Sequence, residues 1–161
     1  MKKREVSISF LEYTGIDELP ESDRSLVNEA ITAASGSYAP YSHFNVGAAI
    51  RLDDGTVVRG ANVENAAFPS GSCAEKTALS YSVANHHDKI AVAIAIAALS
   101  EGVLTDQPVP PCGNCRQMLI EEEQRTGHPI RVILAGKSGV KVLDNCQSLM
   151  PLSFTRSNLV K

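Results

Sequence analysis

The 161-residue chain has no apolar run near the roughly 20 residues that a membrane-spanning helix needs. Its longest, Ile90 to Leu99, predicts a strand buried on both faces, and no membrane span is expected. It also lacks any Lys/Arg run interleaved with aromatic residues, and its formal charge is −3, so nothing attracts the whole surface to nucleic acid. A small-molecule substrate is expected instead of a polymer. Cysteine is scarce: four residues are too few for a disulfide scaffold and suit a reducing cytoplasm. The basic start Lys2-Lys3-Arg4 lacks the apolar segment of a secretory signal, because Glu5, Ser7, Ser9 and Glu12 interrupt it. No internal repeat or low-complexity segment is present.

What remains is the composition of an ordinary globular domain, 43% hydrophobic and 20% charged. A chain of this size buries about 68–70% of its unfolded surface and forms one core without staples. Val6, Ile8 and Phe10 alternate with polar residues, which predicts a half-buried strand in an N-terminal arm, residues 1–20. The main domain is expected over 21–154, with a tail at 155–161. Pro20-Glu21-Ser22-Asp23 opens a helix to about Ser35, with Leu26, Ala30, Ile31 and Ala34 on one face. Strands Val46 to Leu52 and Thr56 to Asn62 flank Asp53-Asp54-Gly55, a tight-hairpin signal. Helices over Cys73 to Asn85 and Gly113 to Arg125, and strands over Ile130 to Ala135 and Val140 to Leu143, complete the pattern. The alternation predicts an α/β fold, a three-layer α/β/α sandwich around a mixed five-stranded sheet.

Two motifs carry the chemistry: Cys73-Ala74-Glu75 and Pro111-Cys112-Gly113-Asn114-Cys115. They offer three thiolates for one zinc ion and a carboxylate that is not needed as a ligand. A closed structural zinc site takes four protein ligands, whereas three ligands with a free acid or base beside them suit water activation. Both expected helices begin at a motif cysteine, where unpaired backbone N–H groups and the dipole favour thiolate over thiol. Three thiolates on a divalent cation leave a net charge of about −1, so Lys76 and Arg116 are expected to donate hydrogen bonds to sulfur and offset it. Two other readings stay open on the residues alone. Cys112 and Cys115 also have the spacing of a dithiol redox pair, although Cys73 and Glu75 then have no use. A closed, noncatalytic zinc module needs a fourth ligand from Cys146, His43, His86, His87 or His128, none at a recommending spacing.

The motifs resemble the small, homotetrameric class of cytidine deaminases. The similarity runs from Tyr38-Ala39-Pro40-Tyr41-Ser42 through Phe44-Asn45-Val46-Gly47-Ala48-Ala49, Asn62-Val63-Glu64-Asn65-Ala66 and the two cysteine motifs to Leu149-Met150-Pro151-Leu152-Ser153-Phe154. The resemblance implies that Cys73, Cys112 and Cys115 bind Zn²⁺ and that water attacks C4 of a cytosine nucleoside. Glu75 shuttles the protons; Asn62 and Glu64 meet the sugar hydroxyls; Phe44 walls the base; and the Ala74 backbone meets the pyrimidine edge. Phe68 and Phe154 resemble residues that close a neighbouring subunit's pocket in a homotetramer. The implied function is deamination of cytidine and 2′-deoxycytidine in pyrimidine salvage, with a blasticidin S-type aminonucleoside deaminase as the rival within the same chemistry. The chain departs from the family where Lys76 replaces the usual Arg, where Phe68 lacks a hydroxyl, and in the lead-in Pro69-Ser70-Gly71-Ser72.

Overall fold

A computed structural model describes residues 1–159. Its ten principal elements are β1 (Leu11–Tyr13), α1 (Glu21–Ala34), β2 (Phe44–Leu52), β3 (Val57–Ala61), α2 (Ala74–Asn85), β4 (Ala91–Ser100), β5 (Val103–Leu104), α3 (Gly113–Thr126), β6 (Arg131–Gly136) and β7 (Gly139–Leu143). The strands form one mixed sheet in the order β1-β7-β6-β4-β2-β3, with β5 paired to β4. Only β4 and β6 run parallel, and α3 lies in the crossover between them. No helix among the described residues is long and apolar enough to cross a membrane.

The central strand β4 explains the three layers. Along it, Ala93, Ala95 and Ala97 join Leu26, Val27 and Ala30 of α1 in one buried cluster, while Ile94 and Ile96 join Ala78 and Leu79 of α2 and Leu119 and Ile120 of α3 in another. Successive side chains of a strand point to opposite faces, so a continuous apolar run feeds both layers. The α1 face is paved with alanine, and that helix can approach closely. The same demand appears at Gly47, where a Cβ would overlap the Ala30 carbonyl oxygen and the Ala34 amide nitrogen. On the other face Gly60 does this for α2, since a Cβ there would overlap the Ala74 carbonyl oxygen and the Ala78 amide nitrogen. Gly60 therefore lets the first turn of α2, which carries Ala74 and Glu75, sit directly on β3.

The sheet has seven strands, two more than the five expected. The additions, β1 and β5, span three and two residues and are too short for periodicity to reveal. The arm also differs from its expected strand. Val6, Ile8 and Phe10 are exposed by 67%, 48% and 46%, and pairing begins only at Leu11. The reason lies in the partner: Leu11 pairs with Val142 and Tyr13 with Val140, so residues before Phe10 run past the end of β7 at Leu143.

Candidate active site

Cys73 and Cys112 occupy the cap positions of α2 and α3, with extended backbones (ψ 155° and 166°). Cys73 makes no side-chain capping bond to its helix, and its sulfur turns toward that of Cys112. Cys115, one turn into α3, completes the group. The Cys73 and Cys112 sulfurs are 3.8 Å apart and the Cys112 and Cys115 sulfurs 3.5 Å, and all three lie within 4.8 Å of one another. A tetrahedral zinc ion with sulfur at about 2.3 Å sets its sulfurs about 3.8 Å apart, so the trio fits that ion. Neither a histidine nor Cys146 joins the group. Cys146 is fully buried elsewhere, with its thiol 3.7 Å from the Ile130 carbonyl.

Burial pushes the Cys115 thiol far above its usual range, with the charge of Glu75 adding to the effect, and burial also raises Cys73. For Cys112 burial pulls the same way, but hydrogen bonds from the Cys115 backbone and the two neighbouring thiols outweigh it and lower the value. Full ionisation of the trio therefore calls for a cation among the sulfurs, as zinc binding coupled to proton release provides. Glu75, 5% exposed, lies outside the ligand group. Burial raises its pKa, opposed by its own backbone N–H and the Cys115 thiol. A carboxyl shifted this way holds and returns a proton more readily than one in water.

These groups open onto a cavity of about 400 Å³. Its apolar wall includes Phe44, Val46, Ile96, Val109 and Pro110, and its polar lining includes Asn62, Glu64 and Asn65 beside Cys73, Ala74 and Glu75. Among the described residues no lysine or arginine lines it. Asn62 ties the start of β2 in place: Oδ1 accepts from the Val46 N–H at 2.7 Å and Nδ2 donates to the Phe44 carbonyl at 2.9 Å. Glu64 is held by the 38–44 loop. One carboxylate oxygen accepts from the backbone N–H groups of Tyr41 (2.9 Å) and Ser42 (3.2 Å), and the other from the Ser42 hydroxyl. The Ser42 hydroxyl, then the Tyr41 N–H, hold its carboxyl below the usual carboxylate range.

Phe44, Asn62, Glu64, Phe68 and Ala74 thus meet at one cavity with Glu75 and two of the three cysteines. Phe68 lies on the rim of its own chain's cavity, 79% exposed, with its ring edge-on to Tyr41 at 6.5 Å. Phe154 is outside the cavity, and its carbonyl accepts from Gln117 Nε2 at 2.7 Å. Neither Lys76 nor Arg116 donates a hydrogen bond to a cysteine sulfur among the described residues. Arg116 directs Nε to the Pro111 carbonyl (2.8 Å) and an Nη to the Leu149 carbonyl (2.9 Å), because its side chain runs along the loop that precedes α3. The Lys76 side chain, exposed on α2, enters no hydrogen bond or ion pair among the described residues. Sequence reasoning assigned no role to Ser42 and Asn65, although both stand in the resemblance motifs, or to Val109 and Pro110; all four reach the site or its supports through tertiary packing.

The chain matches the family model described as the cytidine and deoxycytidylate deaminase zinc-binding region over residues 20–126. It is 49% identical over 96 residues to cytidine deaminase of Halalkalibacterium halodurans, covering 60% of this chain and 68% of the relative. Identity is 38% over 117 residues to cytidine deaminase of Mycobacterium tuberculosis, covering 70% and 84% of the two chains. The crystal structure of cytidine deaminase from Burkholderia pseudomallei superposes with a TM-score of 0.67 at 36% identity, covering 81% of this chain and 97% of that one.

Proposed function

The chain belongs to the cytidine and deoxycytidylate deaminase family, and from that premise we propose how its residues divide the work. The protein is a zinc-dependent hydrolase that converts cytidine and 2′-deoxycytidine, with water, to uridine and 2′-deoxyuridine and ammonia. Cys73, Cys112 and Cys115 hold the zinc, which when bound supplies the Lewis acidity that makes water a nucleophile near neutral pH. Glu75 accepts the proton of the attacking water, delivers it to ring N3, and returns a proton to the departing ammonia. One buried carboxyl can serve both as base and as acid because burial raises its pKa and so eases its return to the protonated form. Phe44 packs on the base, the Ala74 backbone meets the pyrimidine edge, and Asn62 and Glu64 receive the sugar.

The observation that carries this reading is a three-sulfur group with a buried, non-ligating Glu75 on the same apolar cavity. A redox dithiol requires neither Cys73 nor Glu75, and a closed zinc module requires a fourth ligand that the described residues do not bring. The lining further favours a nucleoside over a nucleotide. Among the described residues it offers no lysine or arginine to a phosphate, and Glu64 is an ionised carboxylate that repels one. The finer assignments are a cytoplasmic place in pyrimidine salvage, which the four free cysteines support, and a homotetramer. Exposed Tyr38, Tyr41, Val63 and Phe68 near the rim, with Phe154 elsewhere on the surface, supply apolar area for such an assembly.

The test is the ultraviolet loss of cytidine and, in parallel, of deoxycytidylate and blasticidin S, with zinc measured per chain. Cytidine turnover with one zinc per chain, abolished by Glu75→Gln without loss of zinc, is the expected result. Zinc without turnover would restore the noncatalytic module. Comparable turnover of free cytosine and cytidine would remove the sugar assignment.

A further inference from the structure

The Glu64 carboxylate has about four lone-pair positions. Two backbone N–H groups occupy those of one oxygen, and the Ser42 hydroxyl takes one on the other, which leaves a single acceptor position for a ligand. The Ser42 hydroxyl is itself oriented, because its oxygen accepts from the Phe44 N–H at 3.1 Å. Its proton is thereby committed to Glu64. One hydroxyl links Phe44, which walls the base, to Glu64. Between them His43 has a left-handed backbone, φ 54°, unusual for a residue with a side chain, and its N–H donates to the Ala39 carbonyl at 3.1 Å. The loop accepts this strained turn and in return wraps three donors around one carboxylate. A free glutamate side chain would otherwise sample many rotamers and lose that freedom on binding.

We propose that Ser42 is a positioning residue for sugar recognition, aiming the remaining acceptor position of Glu64 at a secondary hydroxyl of the nucleoside. The proposal rests on the reading of Glu64 as a sugar-binding group. Ser42 does not line the cavity and acts only through its neighbours. Preorganisation of this kind affects only substrates that carry the hydroxyl.

The experiment measures kcat/KM of the zinc-loaded enzyme on cytidine and on 2′,3′-dideoxycytidine, which lacks both secondary hydroxyls, for the wild type, Ser42→Ala, Ser42→Thr and Glu64→Gln. Ser42→Ala is expected to reduce kcat/KM on cytidine on the order of tenfold while changing the dideoxynucleoside by less than about twofold, so that the preference ratio falls. Ser42→Thr, which keeps the hydroxyl, restores the ratio. Glu64→Gln lowers the ratio at least as far, and adding Ser42→Ala to it has little further effect. An equal loss on both substrates, or none on either, would overturn the role of Ser42. A ratio that survives Glu64→Gln would overturn the sugar reading of Glu64 and the proposal with it, whereas a ratio sensitive to Glu64→Gln but not to Ser42→Ala refutes the proposal alone.

Discussion

The polar functional residues at and beneath the cavity fall into two sets, built by different means. The thiol and carboxyl set, Cys73, Glu75, Cys112 and Cys115, stands on the first turns of two helices, with each partner two or three residues from the next along its segment. The hydroxyl-binding set, Asn62 and Glu64, follows β3 and is oriented by groups 16 to 23 residues away: Val46, Phe44, Ser42 and Tyr41. Helix geometry fixes the first set with little help, whereas the second depends on a loop being tied to a side chain. Chemistry that tolerates least misplacement is therefore mounted on the most regular backbone, and selectivity on the more adjustable part.

Substitutions can break or sharpen this contrast. Glu75→Gln should have the largest effect, lowering kcat on the order of 10²–10⁴-fold or more while zinc per chain and thermal stability stay close to wild type. Loss of zinc in that variant would show that the carboxyl belongs to the ligand set after all. Gly60→Ala comes next. Its Cβ would push against the backbone of Ala74 and Ala78, so stability should drop by about 1–3 kcal/mol in a denaturant melt. Turnover should fall too, because Ala74 and Glu75 ride on the displaced turn; unchanged turnover would mean that this turn has more freedom than its packing suggests.

Arg116→Met removes the donors to the Pro111 and Leu149 carbonyls, and it should lower stability by about 1 kcal/mol with no shift in the pH profile of kcat. A shifted profile would return Arg116 to the sulfurs. The second set can be probed by acid. The folded-state pKa of Glu64 is depressed, so its share of loop order is complete above the unfolded value near 4.3 and is lost as pH falls through the lower folded value. Ser42→Ala should raise that midpoint, as read from the carbon-13 shift of the Glu64 carboxyl; an unmoved midpoint would show that the backbone donors suffice. The smallest effect belongs to Lys76→Met, which should change kcat and its pH profile by less than about twofold, since this side chain extends into solvent.

The same contrast explains what could be read from the chain itself. Helices α1, α2 and α3, the β2–β3 hairpin and the central β4 follow from periodicity, proline entry and the Asp-Gly turn, each a local signal. The Cys-Ala-Glu and Cys-Gly-Asn-Cys segments are equally local, so the meeting of three sulfurs was foreseeable from spacing and helix starts. Beyond the range of such signals lie β1 and β5, whose few residues become strands only because a neighbour offers free amides. The destination of Arg116 was hidden for a related reason. A guanidinium close in sequence to a thiolate suggests attraction, yet two backbone carbonyls, one of them 33 residues away, receive its hydrogen bonds. Ser42 is the extreme case, because its significance lies entirely in a carboxylate 22 positions downstream.

The short strand Leu11–Tyr13 lies along the outer margin of β7. Without it, β7 would present an open row of amides beside Val140 and Val142, a surface on which a foreign strand could nucleate. With it, the new margin is only three residues long and carries Glu12, whose carboxylate lies 3.7 Å from the Lys141 ammonium. The arm thus acts as a selvedge for the sheet: shearing it off should spare the chemistry of the dissolved enzyme but shorten its shelf life, as fibres or precipitate form from an otherwise competent fold.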